Sequence, residues 1–85
     1  MELIDTIDKM TSTDYSDRLI AEAQQLQIRM DKLGTMLIKH ARGELDFTPK
    51  CPIKLLEAQH RTMNAYYSLL MARAEIEGVE LKLEV

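Results

Sequence analysis

Two stretches of the chain repeat apolar residues at alternating steps of four and three, the spacing that lays a continuous seam along one side of an α-helix. In the first, Leu19, Ala23, Leu26, Met30, Leu33 and Leu37 form the seam. In the second, it runs through Leu56, His60, Met63, Tyr67, Leu70 and Ala74. The pattern predicts an all-α chain whose two long amphipathic helices close on each other as an antiparallel hairpin. Beside these seams lie further apolar residues: Tyr15, Ile20, Ile28, Met36 and Ile38 on the first helix, Leu55, Tyr66, Leu69 and Ile76 on the second. A stripe of that width exceeds what one helix pair covers. A hairpin has no third layer, so the expected assembly is a homo-oligomeric bundle, in its simplest form a dimeric four-helix bundle.

Punctuation residues bound the helices. Ser12, Thr13 and Asp14 each offer a side-chain oxygen to orphan N–H groups, so the first long helix is expected to start near Thr13. It should end between Ala41 and Gly43, and Gly34 inside it, worth about 1 kcal/mol less than Ala, marks a close helix crossing. A connection of roughly eight to ten residues is expected, long for a helix pair. Phe47 in it reads as a plug folded back onto the hairpin, and Pro52 suits the first turn of the second helix. Gly78 ends that helix. Before the hairpin, Leu3, Ile4, Ile7 and Met10 recur at helical spacing and predict a short N-terminal helix. After it, Val79, Leu81, Leu83 and Val85 alternate with Glu80, Lys82 and Glu84, which fits either an exposed strand that pairs with a copy or partner, or a frayed helical continuation. The chain thus divides into an arm (1–11), a hairpin (12–77) and a tail (78–85).

Composition narrows the class. Apolar residues make up 46% of the chain but aromatics only 5%, with six Met and no Trp, which favours Leu/Ile/Met/Ala helix packing. A net charge of −3 with interleaved signs leaves no basic stripe for duplex nucleic acid. The cations Lys39, His40 and Arg42 suit a helix C-terminus. The single Cys51 excludes an intrachain disulfide and leaves no zinc spacing. The first residues lack a signal peptide's basic and apolar regions, and no apolar run reaches the ~20 residues of a membrane span. A soluble cytoplasmic protein without membrane contact is expected. There is no Gly-rich phosphate loop, nucleophile elbow or His-Glu-x-x-His run, so neither catalysis, nor a metal, nor a cofactor is expected. Glu57 and His60 have the three-residue spacing of bundle metal sites but stand alone.

Binding residues are better represented. Gln59, Thr62, Tyr66 and Arg73 share one side of the second helix. Tyr15, Tyr66 and Tyr67 offer flat faces on which a base can stack, and Arg73 can hold a phosphate with two donors. The same residues also fit plain packing, with Arg73 pairing with Glu77 one turn on. His60 reads either as a core histidine needing a partner across the helix interface, or as a ligand contact where copies meet.

Two runs taken together, Tyr15-Ser16-Asp17-Arg18-Leu19-Ile20-Ala21-Glu22 with Leu26, Arg29, Lys32 and Leu33, and Leu55-Leu56-Glu57-Ala58-Gln59-His60-Arg61-Thr62-Met63-Asn64-Ala65-Tyr66, resemble a family of small helical proteins of tailed and crAss-like phages. That family includes the anti-CBASS sponges, which sequester the cyclic nucleotide signals of bacterial immunity. The resemblance spans roughly 15–76. It implies a homo-oligomer of helical hairpins that holds a cyclic oligonucleotide between subunits without cleaving it, in the cytoplasm of a bacterial host. It also implies that Tyr15 stacks on a base and Arg73 contacts a phosphate, with Gln59, Tyr66 and His60 as further candidates. Met30, where a lysine would be expected, and the alternating tail depart from the pattern. A different class of function also fits the wide apolar stripe, namely an inhibitor or adaptor that docks on a host protein.

Overall fold

The computed structural model describes residues 1–83. A 3₁₀ turn, Leu3–Thr6, leads into a single helical turn, α1 (Ile7–Met10); two long helices follow, α2 (Tyr15–Ala41) and α3 (Ile53–Glu77). α2 and α3 pack as an antiparallel hairpin, and the molecule measures 43 × 24 × 21 Å.

Local chemistry sets the ends of the helices. Of the three cap candidates Asp14 serves: its Oδ1 accepts from the Ser16 N–H at 3.0 Å, a contact worth about 1 kcal/mol. Ser12 supports it, accepting from the Asp14 N–H at 3.0 Å and donating to Asp17 Oδ2 at 2.9 Å. Both long helices close with the paired backbone bonds that a left-handed glycine allows. Gly43 (φ 72°) and Glu44 donate to His40 and Lys39, and Gly78 (φ 70°) and Val79 donate to Glu75 and Ala74. Pro52 sits one place outside α3, as its N-cap, rather than in the first turn. The connection runs over 42–52, longer than expected, and Phe47 is 56% exposed beside Met36 and Lys39. Phe47 is therefore not a plug.

The two long helices are covered unequally. Seven residues of α2 are buried, Leu19, Ile20, Ala21, Ala23, Gln24, Leu26 and Met30, but only Leu70 and Ala74 of α3. α2 lies between α3 and the N-terminal arm. The arm docks through a polar anchor as much as through apolar contact: Thr6 is fully buried, its Oγ1 donates to the Leu3 carbonyl at 2.7 Å, and the Gln25 amide donates to Thr6 Oγ1 at 2.8 Å and to Met10 Sδ at 3.2 Å. Ile4 is 73% exposed, and Ile7 and Met10 are each about half exposed even where the Met10 sulfur meets α2, so the helical spacing of the arm does not mark a buried face. Ile20 and Ile28, expected to need cover from other copies, are already buried and half-buried.

The tail corrects a second expectation. Over 79–83 it is neither strand nor helix but irregular backbone laid over the end of the hairpin. Leu81 enters the main core cluster with Leu19, Ile20, Ala23, Leu26, Leu70 and Ala74, while Val79 and Leu83 pack against it. Lys82 takes a left-handed conformation (φ 54°), and its carbonyl accepts from the buried Gln24 amide at 3.3 Å. That conformation costs about 1 kcal/mol in a non-glycine residue, so burial of Leu81 and satisfaction of Gln24 must hold it. Glu84 and Val85, the end of the alternating run, lie outside the described residues.

If the tail is part of the core, Leu81→Ala will lower stability by about 2 kcal/mol, read as a lower urea midpoint in circular dichroism. A midpoint shift no larger than that of an exposed control such as Ile4→Ala would mean that the tail only lies on the surface.

Candidate functional site

At the end of the hairpin away from the connection, antiparallel packing sets the first residue of α2 beside the last turns of α3. Arg73 there donates from Nη2 to the Tyr15 hydroxyl, and its Cζ lies 5.9 Å from the ring centroid, within cation–π range. The Tyr15 hydroxyl donates in turn to Glu77 Oε2 at 3.4 Å, and Arg73 Nε lies 3.5 Å from the same oxygen. A guanidinium, a phenol and a carboxylate thus form a closed triangle. Its members stay accessible: Tyr15 is 45% exposed. The Tyr15 contact first, with the Glu77 carboxylate adding to it, pushes the Arg73 pKa upward, so the guanidinium keeps its charge. The arrangement holds a planar cation and an aromatic ring in fixed relation, which is chemistry for binding.

The other candidates separate into two groups. Gln59, Thr62 and Tyr66 lie exposed on the side of α3 that carries Arg73, with Thr62 Oγ1 donating to the Ala58 carbonyl at 3.0 Å. Tyr66 is seven residues from Arg73, about 10 Å along the axis, and Gln59 about twice that. His60 points elsewhere, toward α2. A Cβ built on Gly34 would stand 2.9 Å from His60 Nε2, so the glycine is what lets the imidazole lie against α2. The partner of its Nδ1 is Asn64 Nδ2 at 3.3 Å, on the same helix and not across the interface as expected. The same Asn64 amide donates to the His60 carbonyl at 2.9 Å. Beside the ring opens a cleft of about 420 Å³ whose lining combines Leu37, Ile38, Ala41 and Ile53 with the polar His40, Glu57 and Arg61.

Of the five binding candidates the structure therefore joins Tyr15 and Arg73, leaves Gln59 and Tyr66 further along the same face, and sets His60 apart. Glu77 is the member that sequence reasoning missed as part of a site. Its four-residue offset from Arg73 was the visible signal, but that offset alone describes an ordinary surface ion pair. Among the described residues no group of three His, Cys, Asp or Glu could hold a metal ion, and no helix is long and apolar enough to cross a membrane.

The sequence model of one protein family, described as Sequestin, matches residues 13–76, well over half of the chain. The chain belongs to the Sequestin family. The match contains Tyr15 and Arg73 but leaves out the arm, Glu77 and the tail. No curated protein and no solved structure matches it.

The Gly34–His60 contact makes a thermodynamic prediction. In a His60→Ala background, Gly34→Ala will stabilise the protein by about 1 kcal/mol, the usual gain in a helix interior. In the native background the new methyl must displace the imidazole, so the gain will shrink or reverse. Equal effects in the two backgrounds, measured by urea unfolding, would show that the contact does not constrain the crossing.

Proposed function

We propose that this Sequestin chain is a non-catalytic phage anti-defence protein, which sequesters a cyclic oligonucleotide immune signal in the cytoplasm of a bacterial host and so acts against CBASS-type defence. The observation that carries the reading is the Tyr15–Arg73–Glu77 triangle. A cyclic oligonucleotide offers a base to the phenol ring and a phosphate to the guanidinium, and base–aromatic stacking is worth about 1–3 kcal/mol. In the free protein the Glu77 carboxylate occupies the anion position beside Arg73. A phosphate would replace it against a side chain already held in place, which lowers the ordering cost of binding. The family's name describes holding a molecule rather than turning it over. The resemblance to the cyclic nucleotide sponges of phages supplies the ligand class, and the apolar residues left exposed on α3 support a homo-oligomer.

One observation favours a second reading. Leu55, Leu69 and Ile76 are 59%, 65% and 86% exposed on α3, an apolar helix face of the kind that inserts into a groove of another protein. On that reading the chain is an inhibitor or adaptor of a host protein.

Calorimetry with a panel of cyclic di- and trinucleotides separates the two. Binding of at least one ligand is expected, with Tyr15→Ala and Arg73→Ala each weakening it tenfold or more, about 1.4 kcal/mol. Glu77→Gln removes the competing carboxylate and is expected to retain or raise affinity. A flat response to the whole panel, together with a stoichiometric host protein recovered from lysate, would replace the first reading by the second.

A further inference from the structure

α3 faces α2 with Leu56, Met63, Tyr67, Leu70 and Ala74, of which Leu70 and Ala74 are buried and Met63 and Tyr67 pack on the core. At about 100° per residue, Ala58, Ala65 and Ala72 fall within about 30° of the line directly opposite. Ala65 and Ala72 are exposed and Ala58 is half-buried. On one flank of this row run Leu55, Thr62, Leu69 and Ile76, all exposed; on the other run Lys54, Arg61, Ser68 and Glu75, also exposed. The arm docks on α2, and the tail, held by Gln24 and packed on Leu70 and Ala74, only borders this face at its C-terminal end, where it shares a cleft with Ser68, Ala72 and Glu75, all three of which stay exposed.

The residues on this face are self-complementary about one point. We infer that it is the interface with a second copy of this chain, whose α3 runs antiparallel across a two-fold axis at Ala65. Such an axis sets Ala65 against itself and Ala58 against the second copy's Ala72. To within one residue it also sets Leu55 against Ile76 and Thr62 against Leu69, and on the other flank Lys54 against Glu75 and Arg61 against Ser68. A seven-residue repeat of alanine lets two helix backbones approach closely, and the flanking apolar pairs then close over the contact. Charge selects the direction. A parallel two-fold pairing would set the Lys54, Arg61 and Glu75 flank of each copy against the Leu55, Leu69 and Ile76 flank of the other, charge against apolar side chain, whereas the antiparallel one keeps the apolar flanks together and pairs Lys54 with Glu75. An isologous contact of this kind closes on itself as a dimer, the unit from which larger symmetric assemblies are built. Arg73 and Tyr66 lie at its edge, about a quarter turn from its centre, so the triangle at the hairpin end remains open to a ligand.

This inference rests on the homo-oligomer part of the proposed function and adds to it the face, the direction and the register. Cysteine cross-linking tests it, in full-length protein with the exposed Cys51 replaced by Ser. Under mild oxidation Ala65→Cys should form a disulfide dimer with itself, because the axis passes through that residue. Ala58→Cys and Ala72→Cys should cross-link to each other when mixed and not alone. Lys54→Glu should weaken the assembly, and adding Glu75→Lys should restore it, with helicity by circular dichroism showing that each variant folds. Light scattering of the Cys51→Ser parent keeps the two failures apart. An oligomeric parent whose Ala65→Cys form does not cross-link overturns the face and register alone. A monomeric parent overturns the homo-oligomer as well, and one that copurifies with a stoichiometric host protein assigns the face to that protein instead.

Discussion

Burial of α2 is the constraint on which the rest of the structure depends. A chain of 85 residues cannot enclose two long helices on all sides, because a domain of this size buries only about 60% of the surface its unfolded chain exposes. The arm and the described part of the tail both reach this helix. The arm ties to Gln25 through Thr6 and Met10, and the tail ties to Gln24 through the Lys82 carbonyl while Leu81 completes the cluster around Leu19 and Ala23. Adjacent glutamines on α2 thus anchor the arm and the tail. The interior is built around one helix, and α3 contributes a single seam to it.

That inequality organises the exposed surface. Where α2 begins and α3 ends, Tyr15 meets Arg73 and Glu77 in contacts made by the hairpin alone. Along the outer side of α3, apolar residues and alanines remain in water. Gly34 and His60 bring the two long helices together, since the glycine admits the imidazole where α3 lies against α2. A protein that captures a ligand gains from such a layout: rigid helix termini position the binding groups, while the free helix face is available to other copies.

The hairpin was legible because the two seams have helical period and their ends carry strong local signals, Asp14 at the start of α2 and Gly43 and Gly78 after α2 and α3. The contact between Tyr15 and Arg73 was only partly legible. Each residue can be named from its chemistry, but their meeting depends on hairpin register, which the seams constrain only to within a turn. Ile28 read as surface needing another copy because nothing in the spacing of Leu3, Ile4 and Ile7 announces that the arm docks on α2 through Thr6, and Ile20 did so because its cluster is completed by Leu81 of the tail. The tail misled for a related reason. Alternation of apolar and charged residues is the mark of a strand, yet Leu81 is buried in the core cluster and Gln24 supplies the Lys82 carbonyl with the hydrogen bond that a neighbouring strand would have made. His60 was placed correctly on the seam, but its partner proved to be Asn64, four residues on, because an i to i+4 contact needs no other helix.

The central claim is that one chain leaves α3 bare and another copy covers it. Native mass spectrometry of the wild-type protein purified from a bacterial host tests this most directly. An even multiple of the 9.8 kDa chain, with no free monomer at micromolar concentration, is the predicted result. A spectrum dominated by the single chain at that concentration would contradict it.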